Sequence, residues 1–283
     1  MKVEAFAKVN LTLEVFGKRA DGYHALRSVV MPISLSDTLD IKVTDDGSIT
    51  SDTGYDDDLC VKAARVLRQC QDVRRETKDA RPGAAIRVTK RIPAGGGLGG
   101  GSADAAAVLR ALNELWKIGL TREELAEIGA QVGSDVPALV MGSPVVMEGR
   151  GERVEDLRLK TGYLNLVLVN PGVHSSTKEV YAACETRPLD GANATTKMVA
   201  ALKAGDLGKI AAALMNDLQP PAVRQHPEIA DALVSLRTAG VVGAMMSGSG
   251  SSVFGLVADE AAAQRISQEL NAKGLRAWPV HTI

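Results

Sequence analysis

The chain has 283 residues, a length that suits one large domain or two ordinary ones. Its 33 basic and 34 acidic residues give a net charge of −1 without a basic block, which argues against nucleic acid as a partner. No apolar run approaches the roughly 18–20 residues that span a bilayer, and the charged start MKVEAFAKVN is unlike a signal peptide. The three cysteines lack metal-ligand spacing and cannot all pair. We therefore expect reduced thiols, no membrane partner and a cytoplasmic protein.

The N-terminal part of the sequence predicts strands and one helix ahead of a glycine run. KVEAFAKVNLTLEV suggests two short strands around Lys8 to Asn10, ADGYH a turn and TLDIKVT a further strand. A helical face begins at Asp57, and AAIRVTK predicts the strand that leads into the glycines.

Hydrophobic residues make up 45% of the chain but aromatic residues only 3%, so the cores should be aliphatic and rich in alanine.

Helices follow the glycine run. The first is expected to start at Ser102 as its N-cap, with a buried face formed by Ala105, Val108, Leu109, Leu112 and Trp116. Thr121 and Glu124 form a capping-box pattern for the next helix. A short helix in VGSDVPALVMG then precedes the strand PVVMEG.

The C-terminal part mixes strands and helices in the same way. It predicts in order the strand LNLVLVNP, a capped helix at SSTKEVY, paired helices, the helix HPEIADALVSLRTAG, a strand–turn–strand in GAMMSGSGSSVFGLV, a helix from about Asp259 and the strand RAWPV. A polar, charged stretch after Arg150 marks a boundary. The sequence therefore predicts an α+β protein with lobes at residues 1–155 and 156–283.

The glycine run invites a chemical explanation. Six of the seven residues from Gly95 to Gly101 are glycine, and each costs roughly 0.5–1 kcal/mol relative to alanine where the structure is regular. A strand precedes the run and a helix follows, so free N–H groups and the helix dipole would form a phosphate site. Ser102 and Lys90 are placed to assist. The alternative is a loose surface loop.

Three common nucleotide motifs do not fit the run. A dinucleotide fold needs an acidic residue about 20 positions on, at the end of a second strand, and those positions here fall in or after a helix. A P-loop needs a lysine directly before its serine or threonine, but Gly101 precedes Ser102. A protein-kinase loop continues as a strand, whereas a helix follows here.

Four blocks together are similar to one family. PAGGGLGGGSADAA resembles the phosphate-binding motif of the GHMP kinases, named for galactokinase, homoserine kinase, mevalonate kinase and phosphomevalonate kinase. AFAKVNLTLEVFGKRADGYHALRSV, VGSDVPALVMG and MMSGSGSSVFGLV occur in that family's order. The resemblance implies two α+β lobes, ribosomal S5-like then ferredoxin-like, with the active site in the cleft between them. It also implies ATP as co-substrate, with Mg²⁺ carried by ATP. The residues show no dedicated carboxylate cage for the ion, and the sequence leaves its exact ligands open.

The block AKVNL…RADGYH resembles one branch of the family in particular. That branch phosphorylates the 2-hydroxyl of a cytidine diphosphate-linked alcohol in isoprenoid precursor synthesis. The resemblance implies that ATP contacts Lys90, Pro93, Ala94, Gly95, Gly96, Gly97, Leu98, Gly99, Gly100, Gly101, Ser102 and Ala103. Asp58 and Asp104 stand where asparagine is common in the family, which changes the hydrogen bonds available to adenine.

The resemblance also implies the catalytic pair. Phosphoryl transfer needs an acceptor hydroxyl held in line, a base for its proton and charge to stabilise the moving group. Asp135 would be the base, with Lys8 beside it and Asn10 on the substrate. From the residues alone, Asp135 is equally suited to an N-cap, Lys8 to a solvated strand position and Asn10 to a turn.

A second set of residues suits a nucleobase. By resemblance, Tyr23 covers one cytosine face with His24 at the edge, while Thr177 and Tyr181 come from the start of a helix and Tyr181 covers the other face. Stacking on an aromatic ring is worth about 1–3 kcal/mol per base. The alternative for Tyr23 is a turn tyrosine that lies over the core.

Other functions stay open at this point. Another small-alcohol kinase such as homoserine or mevalonate kinase is disfavoured by ADGYH. A catalytically silent ATP-binding protein is disfavoured because Lys8 and Asp135 are both present. A nicotinamide-dependent oxidoreductase lacks its second-strand acid. The partners expected are small molecules, and a homodimer is compatible with the sequence.

Overall fold

Two long strands open the chain in the computed structural model, which describes residues 1–74, 82–159, 163–188 and 193–283. β1 spans Lys2–Lys18 and β2 spans His24–Thr44. The prediction of two short strands is wrong, because the polar residues Lys8 and Asn10 do not interrupt β1. Their side chains are buried on the strand, 3% and 2% exposed.

The remaining elements are strands and helices in mixed order. They are β3 (Ile49–Ser51), α1 (Leu59–Arg74), β4 (Gly83–Thr89), α2 (Gly100–Leu115), α3 (Arg122–Gly129), α4 (Val136–Met141), β5 (Val145–Gly149), β6 (Arg153–Asp156), β7 (Asn165–Asn170), α5 (Thr177–Ala182), α6 (Ala194–Ala204), α7 (Leu207–Ala212), β8 (Met215–Asn216), α8 (Gln219–Gln225), α9 (Pro227–Thr238), β9 (Gly243–Met246), β10 (Val253–Val257), α10 (Glu260–Ala272) and β11 (Arg276–His281). Within the described ranges the strands form one seven-stranded and one four-stranded sheet, which confirms the α+β class.

The residues group into two compact units, each drawn from several segments. The first comprises Met1–Ala7, Leu35–Ile92 and Gly99–Gly142, and the second Lys8–Ser34, Pro93–Leu98 and Ser143–Ile283. A lobe boundary after residue 155 stays a prediction.

The first unit combines hydrogen-bonded strands with helices that pack on one another. β2 pairs antiparallel with β4 from Thr38↔Thr89 to Thr44↔Gly83, and β3 pairs parallel with β4. α2 packs against α1 and α4, and α3 packs against α4. The predicted face of α2 is buried, and burial extends to Ala103, Ala106, Ala107 and Ala111. The small side chain of alanine lets α2 lie close to its neighbouring helices, so a core with few aromatic residues can still be filled.

In the second unit, the four-stranded antiparallel sheet has the order β11-β7-β10-β9. α9 and α10 pack against it. Separately, β5 pairs with the first part of β2, from Leu26↔Gly149 to Val30↔Val145, and with β6. The pairing of β5 with β2 brings the turn before β2 next to the turn after β5.

Helix starts show where local sequence is sufficient. The capping box at Thr121 and Glu124 is confirmed, with both reciprocal hydrogen bonds present. The prediction that Ser102 caps α2 is wrong. The N-cap is Gly99, in the left-handed conformation with φ 70°, and no side chain in the described residues caps this helix. Glycine adopts positive φ without steric cost, so the helix can begin before the serine is reached.

Candidate active site

The glycine segment 95–98, in the second unit, packs closely on a serine-rich loop formed by residues 247–252. The Ser247 hydroxyl donates to the Gly97 carbonyl oxygen at 3.0 Å. Gly97 has φ +72°, and a Cβ there would overlap the Ser247 carbonyl oxygen. Glycine at this position is therefore required by the packing of the protein itself, a reason that the sequence did not reveal.

The other end of the glycine run, in the first unit, is different. Gly101 lies in the first turn of α2 and is exposed. A Cβ there would meet Leu59 Cδ1 at 3.6 Å, which is ordinary contact, and its φ is not positive. Neither packing nor backbone conformation requires glycine at 101. A ligand that approaches the N-terminus of α2 closely would require it.

The other residues predicted to bind ATP divide between the two units. Leu98 is buried in the second unit, where its carbonyl oxygen accepts a hydrogen bond from the backbone N–H of Lys8 at 3.0 Å. Ala103 is buried in α2. Pro93, Ala94, Gly95 and Gly96 belong to the second unit, and Lys90, Gly99, Gly100 and Ser102 to the first.

Lys8 and Asn10 point to the same side of β1 because they are two residues apart on a strand. Lys8 Nζ donates to Asn10 Oδ1 at 2.7 Å, and Asn10 Nδ2 donates to Ser28 Oγ at 2.8 Å. A Cβ on Gly248 would lie 3.2 Å from Lys8 Nζ and 2.9 Å from the Gly97 carbonyl oxygen. The alternative of a solvated strand lysine does not hold, since the ammonium group is buried beside the glycine segment.

Asp135 occupies the N-cap position of α4 in the first unit. Its side chain makes no capping hydrogen bond within the described part of the chain, and its backbone is α-helical, with φ −85° and ψ −13°. Val136 and Pro137 follow it, and proline suits a helix start because it needs no N–H partner there. The carboxylate of Asp135 is therefore not used as a helix cap.

Lys90 lies between two carboxylates in the first unit. Its Nζ is 2.5 Å from Asp37 Oδ2 and 2.7 Å from Asp104 Oδ2. The other oxygen of Asp37 accepts from the backbone N–H groups of Arg91 and Ile92. The fully buried Asp37 thus holds the chain at the point where β4 ends, and sequence reasoning missed it because no local motif marks it.

The charges in this cluster affect one another. Burial raises the pKa of Asp104 to about 6, although the hydrogen bond from Lys90 opposes that shift. Burial lowers the pKa of Lys90, but hydrogen bonds to Asp104 and Asp37 outweigh it and leave that pKa above the usual value. Two carboxylates stabilise the protonated form of Lys90. Asp104 shares that one ammonium group with Asp37, and this does not offset the effect of burial on its pKa.

Asp58, one of the two departures from the family pattern, has a local task. Its Oδ1 accepts from the Cys60 N–H at 2.7 Å and its Oδ2 from the Thr53 hydroxyl at 2.7 Å. Burial would raise the pKa of Asp58, but these hydrogen bonds lower it below the usual value. The ionised carboxylate therefore stabilises the start of α1.

The residues predicted to bind a base lie together in the second unit. The rings of His24 and Tyr181 are stacked, with centroids 5.6 Å apart and planes at 29°. Burial, helped by Lys18, lowers the pKa of His24, so its imidazole is neutral at pH 7. Tyr23 is 52% exposed, and the guanidinium of Arg150 lies 5.2 Å from its ring centroid.

Thr177 joins this region to the serine-rich loop. Its hydroxyl is 2.9 Å from Ser249 Oγ, while the preceding Ser176 caps α5. The sequence marked the block SGSGSS but not the contacts of its serines, because their partners lie about 70 residues or more away in the chain.

Membrane-spanning helices and groups of metal-ligating side chains are both absent from the residues that the structure describes. None of the helices in the residues that the structure describes combines the length and apolarity needed to cross a membrane. Across those same residues, His, Cys, Asp and Glu side chains do not gather in threes or more as metal ligands.

The sequence matches the family description "GHMP kinases N terminal domain" over residues 58–143 and "GHMP kinases C terminal" over residues 198–275. The chain belongs to the GHMP kinases, and is thus an ATP-dependent phosphotransferase by family.

Relatives with one name are similar along the full chain. The 4-diphosphocytidyl-2-C-methyl-D-erythritol kinase of Pelotomaculum thermopropionicum is 44% identical over 93% of this chain and 91% of its own. That of Symbiobacterium thermophilum is 40% identical over 100% of both chains. A crystal structure of 4-(cytidine 5'-diphospho)-2C-methyl-D-erythritol kinase is 34% identical with a TM-score of 0.82, covering 100% of this chain and 99% of that one.

Proposed function

We propose that this chain transfers the γ-phosphoryl group of ATP to the 2-hydroxyl of 4-diphosphocytidyl-2-C-methyl-D-erythritol, a step in isoprenoid precursor synthesis. Membership of the GHMP kinases and the shared name of full-length relatives support the reaction and the substrate. A homoserine kinase of Cytophaga hutchinsonii is 22% identical, so its similarity to this chain concerns the fold alone.

The observation that carries the proposal is the buried Lys8. Burying an ammonium group costs free energy unless partners hold it, and such groups concentrate at functional sites. Its hydrogen bond to Asn10 and its position beside Gly248 and the Gly97 carbonyl orient it at the glycine segment. We assign Lys8 to stabilise the charge on the transferred phosphoryl group.

Asp135 takes the proton in this proposal. The substrate oxygen attacks the γ-phosphorus, the bond to the β–γ bridging oxygen breaks and ADP leaves. The hydroxyl proton passes to the Asp135 carboxylate, which is not used as a helix cap. Mg²⁺ arrives with ATP as part of the substrate and neutralises phosphate charge.

The N-terminus of α2 and Gly101 bind the phosphates in this proposal. An exposed glycine in a helical turn without a packing reason supports that role. For the cytidine, Tyr23 and Tyr181 supply stacking faces and the neutral His24 a hydrogen-bonding edge. A cytoplasmic location and a homodimer remain predictions that accompany this function.

The direct test measures ADP release by the purified protein. We expect ADP only when the diphosphocytidyl alcohol is present with ATP and Mg²⁺. Homoserine and mevalonate, supplied separately, should give the background rate. Turnover with either of these alcohols, and none with the cytidine compound, would replace the proposed substrate.

The role of Asp135 is tested by Asp135→Asn. Asparagine keeps the shape but cannot accept the proton, so kcat should fall by a factor on the order of 10²–10⁴. Affinity for ATP and melting temperature should stay close to wild type. Asp259→Asn is the matched control, since Asp259 caps α10 through its side chain and asparagine caps equally well. Unchanged kcat in Asp135→Asn would remove this residue from the mechanism.

A further inference from the structure

A network of charged side chains surrounds Tyr23 in the second unit. Arg19 Nε donates to Asp21 Oδ2 at 3.1 Å, and Asp21 Oδ1 accepts from the Tyr23 N–H at 3.1 Å. The backbone N–H of Arg19 also donates to the Tyr23 carbonyl oxygen at 2.7 Å. The turn between β1 and β2 is thus closed on itself through Arg19.

Glu152 ties this turn to the neighbouring one. Its Oε1 accepts from Arg19 Nη1 at 2.9 Å, and its Oε2 accepts from the Arg150 N–H at 2.5 Å. Burial would raise the pKa of Glu152, but these hydrogen bonds hold it below the usual value, so the carboxylate is ionised. A Cβ on Gly149 would overlap this carboxylate, and Gly149 has φ +76°. The glycine therefore makes room for the arrangement.

Arg150 completes the network above the tyrosine. Its backbone is held by Glu152, and its guanidinium lies 5.2 Å from the Tyr23 ring centroid, within cation–π range. One face of the ring is thus covered by a flat cation. Tyr23 is nevertheless 52% exposed. An exposed aromatic ring that is held on one face by a cation is oriented in advance for a ligand on the other.

Stability does not explain the network. The Arg19 and Glu152 side chains are 35% and 27% exposed, and ion pairs at such positions contribute only about 0–1 kcal/mol to folding. We propose that Glu152 is a positioning residue for nucleobase recognition: it locks the turn that presents Tyr23 and sets Arg150 against the ring. This inference rests on the proposed function, in which Tyr23 stacks on cytosine.

The test compares two glutamates of similar exposure. In Glu152→Gln an amide N–H₂ faces one of the two N–H donors, so the turn loosens. The KM for the diphosphocytidyl alcohol should rise about three- to tenfold, while kcat, the KM for ATP and the melting temperature stay near wild type. Glu148→Gln is the control, because Glu148 pairs with Arg27 at 2.7 Å and with Arg153 at 3.7 Å instead.

A double-mutant cycle separates positioning from a general structural effect. Tyr23→Ala alone should raise the same KM roughly tenfold or more. In that background Glu152→Gln should add nothing further, because the residue it positions is gone. An additive rise, or an equal rise in Glu148→Gln, would overturn the positioning role. Wild-type turnover with an unchanged KM in Glu152→Gln overturns this inference alone, whereas no wild-type turnover overturns the proposed function together with it.

Discussion

The two ends of the glycine run differ in what surrounds the backbone. At Gly97 the φ is +72° and a Cβ would overlap the carbonyl oxygen of Ser247. At Gly101 the backbone is part of α2, and a Cβ would meet Leu59 Cδ1 at 3.6 Å. The first glycine is required by the protein's own packing, and the second is not.

The difference changes what the run indicates about function. From the sequence, the whole run of glycines before α2 predicts a phosphate site. Close contact with the serine-rich loop accounts for the glycine at 97 without any ligand. Only Gly101, where the protein leaves room for a side chain, retains a reason that points to an anion. Substitutions along the run can separate these two causes.

The largest effect is expected for Gly97→Ala. A non-glycine residue at positive φ costs about 1–3 kcal/mol, and overpacking against a backbone atom adds about 1–3 kcal/mol. The free energy of unfolding, measured by urea titration, should therefore fall by about 2–5 kcal/mol. A fall below about 1 kcal/mol, within the usual range for surface changes, would contradict the packing explanation.

A second prediction concerns charge at the helix end of the run. Burial raises the pKa of Asp104 to about 6 from its ordinary 3.8. The folded state therefore binds this proton more tightly, and the stability it contributes below pH 4 is lost as pH rises through 6. In Asp104→Asn that loss is absent. The free energy of unfolding of wild type relative to the variant should therefore fall as the pH rises from 4 to 7.

The matched control for this pH dependence is Asp206→Asn. Hydrogen bonds from Lys209 lower the pKa of Asp206, so its contribution to stability is lost as pH falls. The two variants should thus differ from wild type with opposite slopes. The absence of any slope for Asp104→Asn would mean that Asp104 has an ordinary pKa in the folded protein.

The smallest effect on stability is expected for Gly101→Ala. Alanine in a helical turn with room for its Cβ should stabilise the protein by about 0.5–1 kcal/mol. If a phosphate approaches the helix there, the affinity for ATP should fall roughly tenfold, or about 1.4 kcal/mol, in a calorimetric titration. Increased stability with unchanged ATP affinity would remove the last glycine-based argument for a phosphate site at this position.

Elements set by local contacts were predicted well. The capping box at Thr121 and the helices begun by Ser176 and Asp259 follow from side chains that bond to N–H groups three residues on. The N-cap of α2 was predicted three residues too late, at Ser102, because the left-handed Gly99 does not need a side-chain cap. A glycine-rich sequence does not say which of its residues turns the chain.

The family, the mixed α+β class and the blocks that carry the candidate chemistry could be determined from the sequence by itself, because they reside in short stretches of adjacent residues. Only the tertiary structure decided that Lys8 and Asn10 are buried, that Asp37 holds Lys90 and that Glu152 joins two turns. Each of these depends on the surroundings or on partners far away in the chain. Burial and hydrogen-bond partners determine the free energy of a charged group, and neither is encoded in its immediate neighbours.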